Sequence, residues 1–394
     1  MKVTYIQPDE NGIVDWPLLS NNKKSVVSIG VFDGVHLGHK AVLQRNIELA
    51  QQLKAFSVVI MFDPRPSLVH EYAAMHKNAV LPEDYYDGQQ ISSAHQRLHE
   101  LQKFGFDYVF VVKYTLAFAA KSYRFFLGQL VGKLGMRSLV LGEDATIGAN
   151  KSGNIDTISL LAQATGVFEL EVVKNSGPGL IRIPRDIVPT APKEAGEPVD
   201  PVKTMSKAEY RAWTKSFDNK QVRVWSSSYV RFLLSQARIH DANEILGRYH
   251  AVEGVVVHGE QRGRTIGFPT ANLDTQVEGY VPVDGVYAGW LVDLGENSDD
   301  TVQSDTVKPL NSVHRRWKAA ISIGTKPTYN QQTGLHDRVV EAFAIEDEWI
   351  DLYNHKIRLE FAGFLRQQIA FENTEQLVAE LKRNVQQTDE MLQE

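Results

Sequence analysis

The first half of the chain alternates short apolar runs with amphipathic stretches. This pattern predicts strands that alternate with helices, which is typical of a parallel β-sheet with crossover helices. The predicted strands are Ser25–Val31, Phe56–Phe62, Tyr108–Val112, Ser138–Leu141 and Val167–Val173. Helices are predicted from about His39, over Arg97–Phe104 and over Phe125–Leu134. Ligands bind at the carboxyl ends of the strands in such sheets, so the loops that follow the strands are candidate sites.

From Tyr249 onward the pattern changes to short strands separated by turns. It predicts a small antiparallel barrel followed by a helix that Thr374 caps, with Leu377, Leu381 and Val385 on one face. The predicted barrel strands are Val252–His258, Val286–Val292, Trp317–Ile323, Val339–Ile345 and Lys356–Phe361.

Two polar segments interrupt these patterns. Ile183–Gln221 contains five prolines and is either an ordered flap or a mobile excursion above the N-terminal site. Leu294–Arg316 is predicted to be a polar hairpin insertion. A domain boundary is expected near Ser235–Asp241, with a helix over Ala242–Gly247 opening the second domain.

Composition narrows the class of protein. The residues are 43% hydrophobic and 23% charged, which is typical of a globular protein. The length of 394 residues exceeds one ordinary core and predicts two domains. The net charge of −6 offers no basic field for nucleic acid, and the absence of cysteine excludes disulfides and thiolate chemistry. No apolar run reaches membrane-spanning length, and Met1–Asp15 has no secretory signal pattern. We therefore expect a cytoplasmic protein without membrane or nucleic-acid partners, either a monomer or a weak homo-oligomer.

The segment from His258 to Asn272 carries the strongest chemical signal in the second half. Gly263 and Gly267 let the backbone approach a ligand, and the exposed N–H groups there can bind phosphate. Thr270 and Asn272 place oxygen atoms on alternate positions, which share one face if the segment is extended. Such oxygen atoms suit Mg²⁺ that a nucleotide already holds. The alternative is a glycine-rich hairpin with a solvated charged turn.

The string Arg-Gly-Arg-Thr-Ile-Gly-Phe-Pro-Thr-Ala-Asn, which ends at Asn272, resembles the signature of riboflavin kinases. Two further strings also resemble that family: Ile323-Gly-Thr-Lys-Pro-Thr-Tyr329, and Val340-Glu-Ala-Phe343 followed by Asp351-Leu-Tyr353. Asn354 stands where the family has glycine, and asparagine tolerates positive φ.

The resemblance implies roles for individual residues of the C-terminal half. Gly263, Arg264, Gly267, Thr270 and Asn272 would bind the nucleotide, the last two also through Mg²⁺; Glu341 would be the catalytic base; and Arg366 would lie near the flavin.

The loop after the first predicted strand reads Gly30-Val-Phe-Asp-Gly-Val-His-Leu-Gly-His39. His36 and His39 can point the same way at a helix start, where anions also bind. A capped helix with exposed histidines, or a metal pair, would give the same spacing. The string resembles the nucleotidylyltransferase superfamily in the form found in FAD synthetases. That resemblance implies nucleotide contacts from Gly30, Phe32, Asp33, Gly34 and Gly38, with His36 and His39 catalytic.

Three further positions belong to the same resemblance. Trp225-Ser-Ser-Ser-Tyr-Val-Arg231 is similar to a motif that closes over ATP phosphates, which implies nucleotide binding by Ser226, Ser227 and Ser228 and a catalytic role for Arg231. Asp63 is either a flavin contact or a simple turn residue, and Arg97 is expected on a solvated helix face.

One departure bears on the N-terminal half: Ala145 and Ile147 stand where that family has aromatic residues. The resemblance implies a Rossmann-like nucleotidylyltransferase domain over residues 1–238 and a six-stranded antiparallel barrel with a terminal helix over residues 239–394. It also implies that riboflavin and ATP give FMN, that FMN and ATP give FAD and pyrophosphate, and that Mg²⁺ acts with ATP. A kinase with an inactive N-terminal half, or a flavin-binding protein without turnover, are the alternatives.

Overall fold

A computed structural model describes residues 1–174, 177–259, 268–297, 314–325, 338–346 and 350–393. They divide into two compact units. The first unit comprises residues 1–87 and 93–179, and the second comprises residues 88–92 together with the described residues from 180 onward.

The first unit is a parallel six-stranded sheet flanked by helices. Its strands are β1 (Lys2–Ile6), β2 (Ser25–Gly30), β3 (Phe56–Asp63), β4 (Tyr108–Lys113), β5 (Met136–Gly142) and β6 (Glu169–Val173). Its helices are α1 (Leu37–Gln52), α2 (Pro66–Met75), α3 (Ala94–Gln102), α4 (Leu116–Ala119), α5 (Tyr123–Lys133) and α6 (Ile155–Thr165). The five predicted strands are confirmed, whereas β1 is an additional strand that pairs with β4.

The strand order is β1-β4-β3-β2-β5-β6, and every neighbouring pair is parallel. The order reverses between β2 and β5, so the loops after these two strands border the crevice in which such folds bind ligands. The buried amide of Asn46, on α1, donates hydrogen bonds to the Ser28 hydroxyl and to the carbonyls of Val26 and Val58. These bonds fix α1, and with it the loop after β2, against the sheet.

The second unit is built around a closed antiparallel barrel. Its strands are β7 (Leu180–Pro184), β8 (Asn219–Arg223), β9 (His250–Val257), β10 (Ala271–Leu273), β11 (Gly285–Glu296), β12 (Arg316–Thr325), β13 (Arg338–Ala344) and β14 (His355–Arg366). Its helices are α7 (Pro201–Thr204), α8 (Lys207–Lys215), α9 (Ser227–Ser235), α10 (Ile239–Leu246) and α11 (Thr374–Met391). The barrel order is β10-β13-β12-β11-β14-β9, which confirms the six-stranded antiparallel barrel that the resemblance implies, and β7 pairs with β8 in a separate hairpin.

The proline-containing segment between β7 and β8 is structured within this second unit. The Glu197 carboxylate accepts hydrogen bonds from the backbone N–H groups of His240 and Phe364, at 2.7 and 2.9 Å. Asp200 forms a buried ion pair with Arg238 at 2.9 Å. The segment is therefore held against α10 and β14.

The division between the units falls at residues 179 and 180, whereas the sequence placed a domain boundary at 238 and 239. The difference has a physical reason. Tyr229, Val230 and Leu233 of α9 share one hydrophobic core with barrel residues such as Tyr287 and Phe361. A boundary after α9 would expose that shared core.

One smaller expectation needs correction. The last helix is capped by Asn373, whose side chain accepts a hydrogen bond from the Gln376 N–H at 2.9 Å, and not by Thr374. The predicted hairpin insertion lies mainly in residues 298–313, outside the described residues.

Among the helices that the structure describes, none is both long and apolar enough to cross a membrane.

Candidate active sites

The loop after β2 is shaped by an unusual run of backbone angles. Phe32, Gly34 and Val35 have φ values of 53°, 79° and 42°. Residues other than glycine rarely adopt positive φ. The angles at Phe32 and Val35 therefore cost conformational energy that the surrounding packing has to offset. A Cβ atom on Gly30 would lie 3.1 Å from the Phe32 ring. Glycine at position 30 therefore leaves room for Phe32 to fold under the turn.

The turn places two histidines together at the start of α1. The rings of His36 and His39 stack with their centroids 3.7 Å apart. His36 is 5% exposed and also caps the helix, since its Nδ1 accepts a hydrogen bond from the His39 N–H. His36 therefore caps the helix, as one alternative to a catalytic pair supposed. In contrast to that alternative, the His36 side chain is buried and not exposed.

Burial lowers the pKa of His39 to about 4, and the nearby Asp33 carboxylate opposes this shift. The Nδ1 atom of His39 is buried without a hydrogen-bond partner among the described residues. His39 is thus neutral at pH 7 in the ligand-free protein, and a neutral imidazole retains one N–H that can donate to a phosphate oxygen. Gly38 lies between the two histidines in the first turn of α1.

Asp63 ends β3 at the same edge of the sheet, and here the expectation for Arg97 is wrong. The Arg97 side chain is fully buried. It donates to the Asp63 carboxylate at 2.6 Å and to the carbonyls of Val31 and Phe62 at 2.8 and 3.0 Å. Arg97 therefore joins the ends of β2 and β3, because a buried guanidinium requires such acceptors. The Asp63 side chain keeps 39% exposure.

The two positions at which aromatic residues were expected lie in the loop after β5. Ile147 is 7% exposed and belongs to the hydrophobic core of the first unit. Ala145 is partly buried and packs against the same core. Both side chains therefore contribute to packing beneath the loop.

The serine-rich motif lies in the second unit, at the start of α9. Ser226 caps this helix by accepting a hydrogen bond from the Tyr229 N–H at 3.2 Å, and its hydroxyl donates to the Arg223 carbonyl at 2.7 Å. Ser227 and Ser228 form the first turn of α9. The Arg231 Nε donates to the Gln89 carbonyl at 2.5 Å. The motif and the histidine pair thus belong to different units.

In the barrel, the register brings two predicted site residues side by side. Asn272 on β10 pairs directly with Glu341 on β13. Directly opposed residues of antiparallel strands point to the same face, with Cβ atoms roughly 5 Å apart. Val340 and Ala342, which flank Glu341, are 1% exposed and point into the barrel core, so Glu341 and Asn272 lie on the outer side of the barrel wall, where Asn272 is itself buried at 7% exposure.

Thr270 completes this group. The Asn272 amide nitrogen lies 3.2 Å from the Thr270 hydroxyl oxygen, and a Cβ atom on Gly259 would lie 2.5 Å from that amide nitrogen. Glycine at position 259 therefore makes the space that the Asn272 side chain occupies. No cluster of three or more His, Asp or Glu side chains suited to a metal occurs among the described residues. Two neighbouring neutral oxygen donors fit Mg²⁺ that phosphate oxygens also coordinate, and not a metal held by protein alone.

Arg366 lies on the same face of the barrel, but its guanidinium is already engaged. It forms an ion pair with Glu380 at 3.0 Å and a hydrogen bond with Asn384 at 3.1 Å, both on α11. The side chain is 11% exposed. In this structure Arg366 fastens the terminal helix to β14.

Some expectations concern residues outside the described part of the chain. Gly263, Arg264 and Gly267 lie in the range 260–267, and the second half of the Ile323–Tyr329 string lies in the range 326–337. Asn354 is described, and its φ of 61° confirms that asparagine adopts positive φ there.

Comparison with known proteins agrees with the two-part organisation. Residues 18–185 match the model of the FAD synthetase family, and residues 246–392 match that of the riboflavin kinase family. A bifunctional riboflavin kinase/FMN adenylyltransferase from Escherichia coli is 29% identical, over 91% of this chain and 90% of that protein. One with the same name from Listeria monocytogenes is 25% identical, over 92% and 91% of the two chains.

A solved structure described as a macrolide-efflux protein from Streptococcus pneumoniae has the same fold, with a TM-score of 0.68 and coverage of 99% of both chains. At 20% identity this likeness concerns the fold alone. The two family matches, the relatives of nearly equal length and the paired barrel residues agree with one another. This chain belongs to the family of bifunctional riboflavin kinase/FMN adenylyltransferases.

Proposed function

We propose that this protein catalyses two successive steps of FAD biosynthesis. The barrel transfers the γ-phosphoryl group of ATP to riboflavin, which yields FMN and ADP. The N-terminal unit joins FMN to the adenylyl group of a second ATP, which yields FAD and pyrophosphate. The observation that carries the kinase assignment is the direct pairing of Asn272 with Glu341 on one outward face of the barrel.

In the kinase reaction, Glu341 is the general base. The 5′-hydroxyl of riboflavin is a poor nucleophile, and a carboxylate within hydrogen-bond reach orients it and accepts its proton. The hydroxyl oxygen forms a bond to the γ-phosphorus while the bond to the β-phosphate oxygen breaks. Most of the acceleration in phosphoryl transfer comes from positioning and charge stabilisation, so the base contributes a part of the rate.

Thr270 and Asn272 would hold Mg²⁺ together with the phosphate oxygens of ATP. A bound Mg²⁺ would neutralise charge on the transferred phosphoryl group. Because Asn272 pairs directly with Glu341, the residues proposed to bind the phosphates lie one strand away from the proposed base. Gly263, Arg264 and Gly267 remain proposed as nucleotide-binding residues on the strength of the motif.

In the adenylyl reaction, the nucleophile is the FMN phosphate, which is already anionic and needs no protein base. Its oxygen attacks the α-phosphorus of ATP, and pyrophosphate leaves. His36 and His39 would donate hydrogen bonds to the leaving phosphates, near the turn of Gly30, Phe32, Asp33 and Gly34. We assign Ser226, Ser227, Ser228 and Arg231 to phosphate binding by the motif, and Asp63 to the flavin side.

Two other functions are less well supported. A kinase with an inactive N-terminal half was suggested by Ala145 and Ile147, but both side chains pack in the core of the first unit. A flavin-binding protein without turnover would have no use for a carboxylate beside the nucleotide-binding residues. Both observations favour the bifunctional enzyme.

One experiment tests the assignment. Riboflavin, ATP and Mg²⁺ are incubated with the protein, and FMN and FAD are separated by chromatography. Glu341→Ala is expected to slow FMN formation by about 10²- to 10⁴-fold, because the general base is removed. Supplied FMN should still become FAD at the wild-type rate. An unchanged kinase rate would remove Glu341 from the mechanism, and absence of pyrophosphate from FMN and ATP would leave the kinase alone.

A further inference from the structure

The face of the barrel that carries Glu341 continues as a row across neighbouring strands. Ser322 on β12 pairs directly with Glu341, on the side opposite to Asn272. Val286 on β11 pairs with Ser322 in turn. Neighbouring strands lie roughly 5 Å apart, so the row places a metal-side residue, a base, a hydroxyl and an apolar side chain at regular intervals.

Ser322 is held in place by Gln368, which follows β14. The Gln368 amide nitrogen lies 2.9 Å from the Ser322 hydroxyl oxygen and 2.9 Å from the Ile323 carbonyl oxygen. The amide nitrogen can only donate, so the Ser322 oxygen accepts and keeps its own proton. Within the part of the chain that the structure describes, that proton has no acceptor. Ser322 can thus donate its O–H to a bound molecule on a partly exposed face.

The order of the row fixes a direction for the acceptor molecule. In the proposed kinase reaction, the phosphoryl donor would lie on the side of Asn272, and the attacking hydroxyl would lie over Glu341. An acceptor that continues away from the phosphates along this row extends toward Ser322. We propose that Ser322, oriented by Gln368, is a substrate-binding residue that donates a hydrogen bond to the 4′-hydroxyl of riboflavin. This inference rests on the proposed kinase function.

The chemistry of the substrate suits this position. The ribityl chain carries secondary hydroxyls next to the primary hydroxyl that is phosphorylated, and each can accept a hydrogen bond. A donor one strand away from the base would hold the chain so that the 5′-oxygen stays above Glu341. Because the 4′-hydroxyl is bound before the reaction and does not react, the contact should act mainly on the KM for riboflavin.

Ser322→Ala, compared on riboflavin and on an analogue without the 4′-hydroxyl, tests the contact. With riboflavin, the variant should lose about three- to tenfold in kcat/KM, mainly through KM, as expected for one neutral hydrogen bond. With the 4′-deoxy analogue, the wild type should show a similar loss and the variant no further loss. The KM for ATP and the rate of FMN adenylylation should not change.

Lys318→Ala provides the matched control. Lys318 lies on the same strand and face as Ser322, and its amino group pairs with Asp389 of α11. This variant should leave the KM for riboflavin unchanged on both substrates. Equal losses of Ser322→Ala on riboflavin and on the analogue, or no loss at all, would overturn the proposed contact. Failure of the wild type to phosphorylate riboflavin would instead overturn the kinase function itself.

Discussion

The His39 imidazole stacks on that of His36, and burial lowers its pKa to about 4. In the unfolded chain a histidine has a pKa of about 6.5. Strongly perturbed pKa values are common at functional sites. A triphosphate placed beside His39 would favour its protonation, so binding and proton uptake should be coupled at this site.

The lowered pKa of His39 also predicts how the stability of the first unit depends on pH. As pH falls below about 6.5, the unfolded chain binds a proton that folded His39 does not bind until about pH 4. The native state therefore loses stability across this window. Between pH 7 and pH 5, the wild type should lose about 2 kcal/mol more unfolding free energy than His39→Asn. Urea titrations followed by circular dichroism measure both values.

His70→Asn is the control for this experiment, because His70 is an exposed histidine of the same unit. Its loss of stability between the two pH values should match that of the wild type. If His39→Asn showed the full wild-type pH dependence, burial of the neutral imidazole would not be its source.

Arg97 shows where sequence patterns fail for single residues. Its helix was predicted at nearly the right place, but its side chain was assigned to solvent because arginine is rarely buried. The acceptors that allow its burial come from positions 34, 35 and 66 residues away, on β3 and after β2. These three acceptors lie far outside the few neighbouring residues from which a sequence pattern is read. The family motifs, in contrast, could be recognised because their residues are contiguous.

At the scale of elements, α11 illustrates a boundary that sequence places within one residue. Asparagine and threonine adjoin at the start of the helix, and both residue types cap helices well. The backbone decides between them, since Asn373 is extended with φ of −152° and Thr374 is already helical. Helix ends predicted from sequence carry this uncertainty in general.

Replacement of Asn373 by alanine should lower the unfolding free energy of the second unit by about 1 kcal/mol, the usual contribution of an N-cap. The Gln376 N–H would lose its side-chain acceptor. Thr374→Ala should change the value by less than about 0.5 kcal/mol, since an exposed helical position has no such bond. Thermal or denaturant unfolding of both variants distinguishes the two caps, and the reverse order of effects would restore Thr374 as the cap.

Strand prediction succeeded where strands are long and alternate, as in the barrel and in the centre of the sheet. It missed β1, a five-residue edge strand whose partner β4 lies about a hundred residues later. The three-residue β10 was foreseen only as a conditional extension of the motif. Strands this short are defined by their partners, since their own sequence carries too few positions for a period.

At the scale of the whole molecule, the division at residues 179 and 180 predicts which fragment folds. A fragment of residues 180–394 keeps α9, the β7–β8 hairpin and the ion pair between Asp200 and Arg238. A fragment of residues 239–394 loses all three and exposes the core that α9 covers. We expect riboflavin kinase activity and cooperative unfolding from the longer fragment, and low solubility or non-cooperative unfolding from the shorter one.

Both fragments lack residues 88–92, which belong to the second unit and include the buried Ile91. This shared loss does not affect the comparison between them. Equal stability of the two fragments would show that the boundary expected from sequence, at 238 and 239, is the physical one.

The strings that carry the proposed kinase site could be recognised from sequence, because the residues of each string are contiguous. Their pairing could not, since the register of β10 and β13 depends on closure of the barrel. The role that we propose for Ser322 could not be inferred from sequence for the same reason, since only the strand order places it beside Glu341.

The barrel is closed by its shortest strand, the three-residue β10 between β9 and β13. Thr270 lies next to this strand and Asn272 lies within it, so the proposed nucleotide side of the kinase site coincides with the strand that closes the barrel. A fluctuation that separates β10 from its neighbouring strands would disrupt the proposed kinase site, and a nucleotide bound there would stabilise the closed barrel. Nucleotide binding and the stability of the barrel would therefore be coupled in this half of the protein.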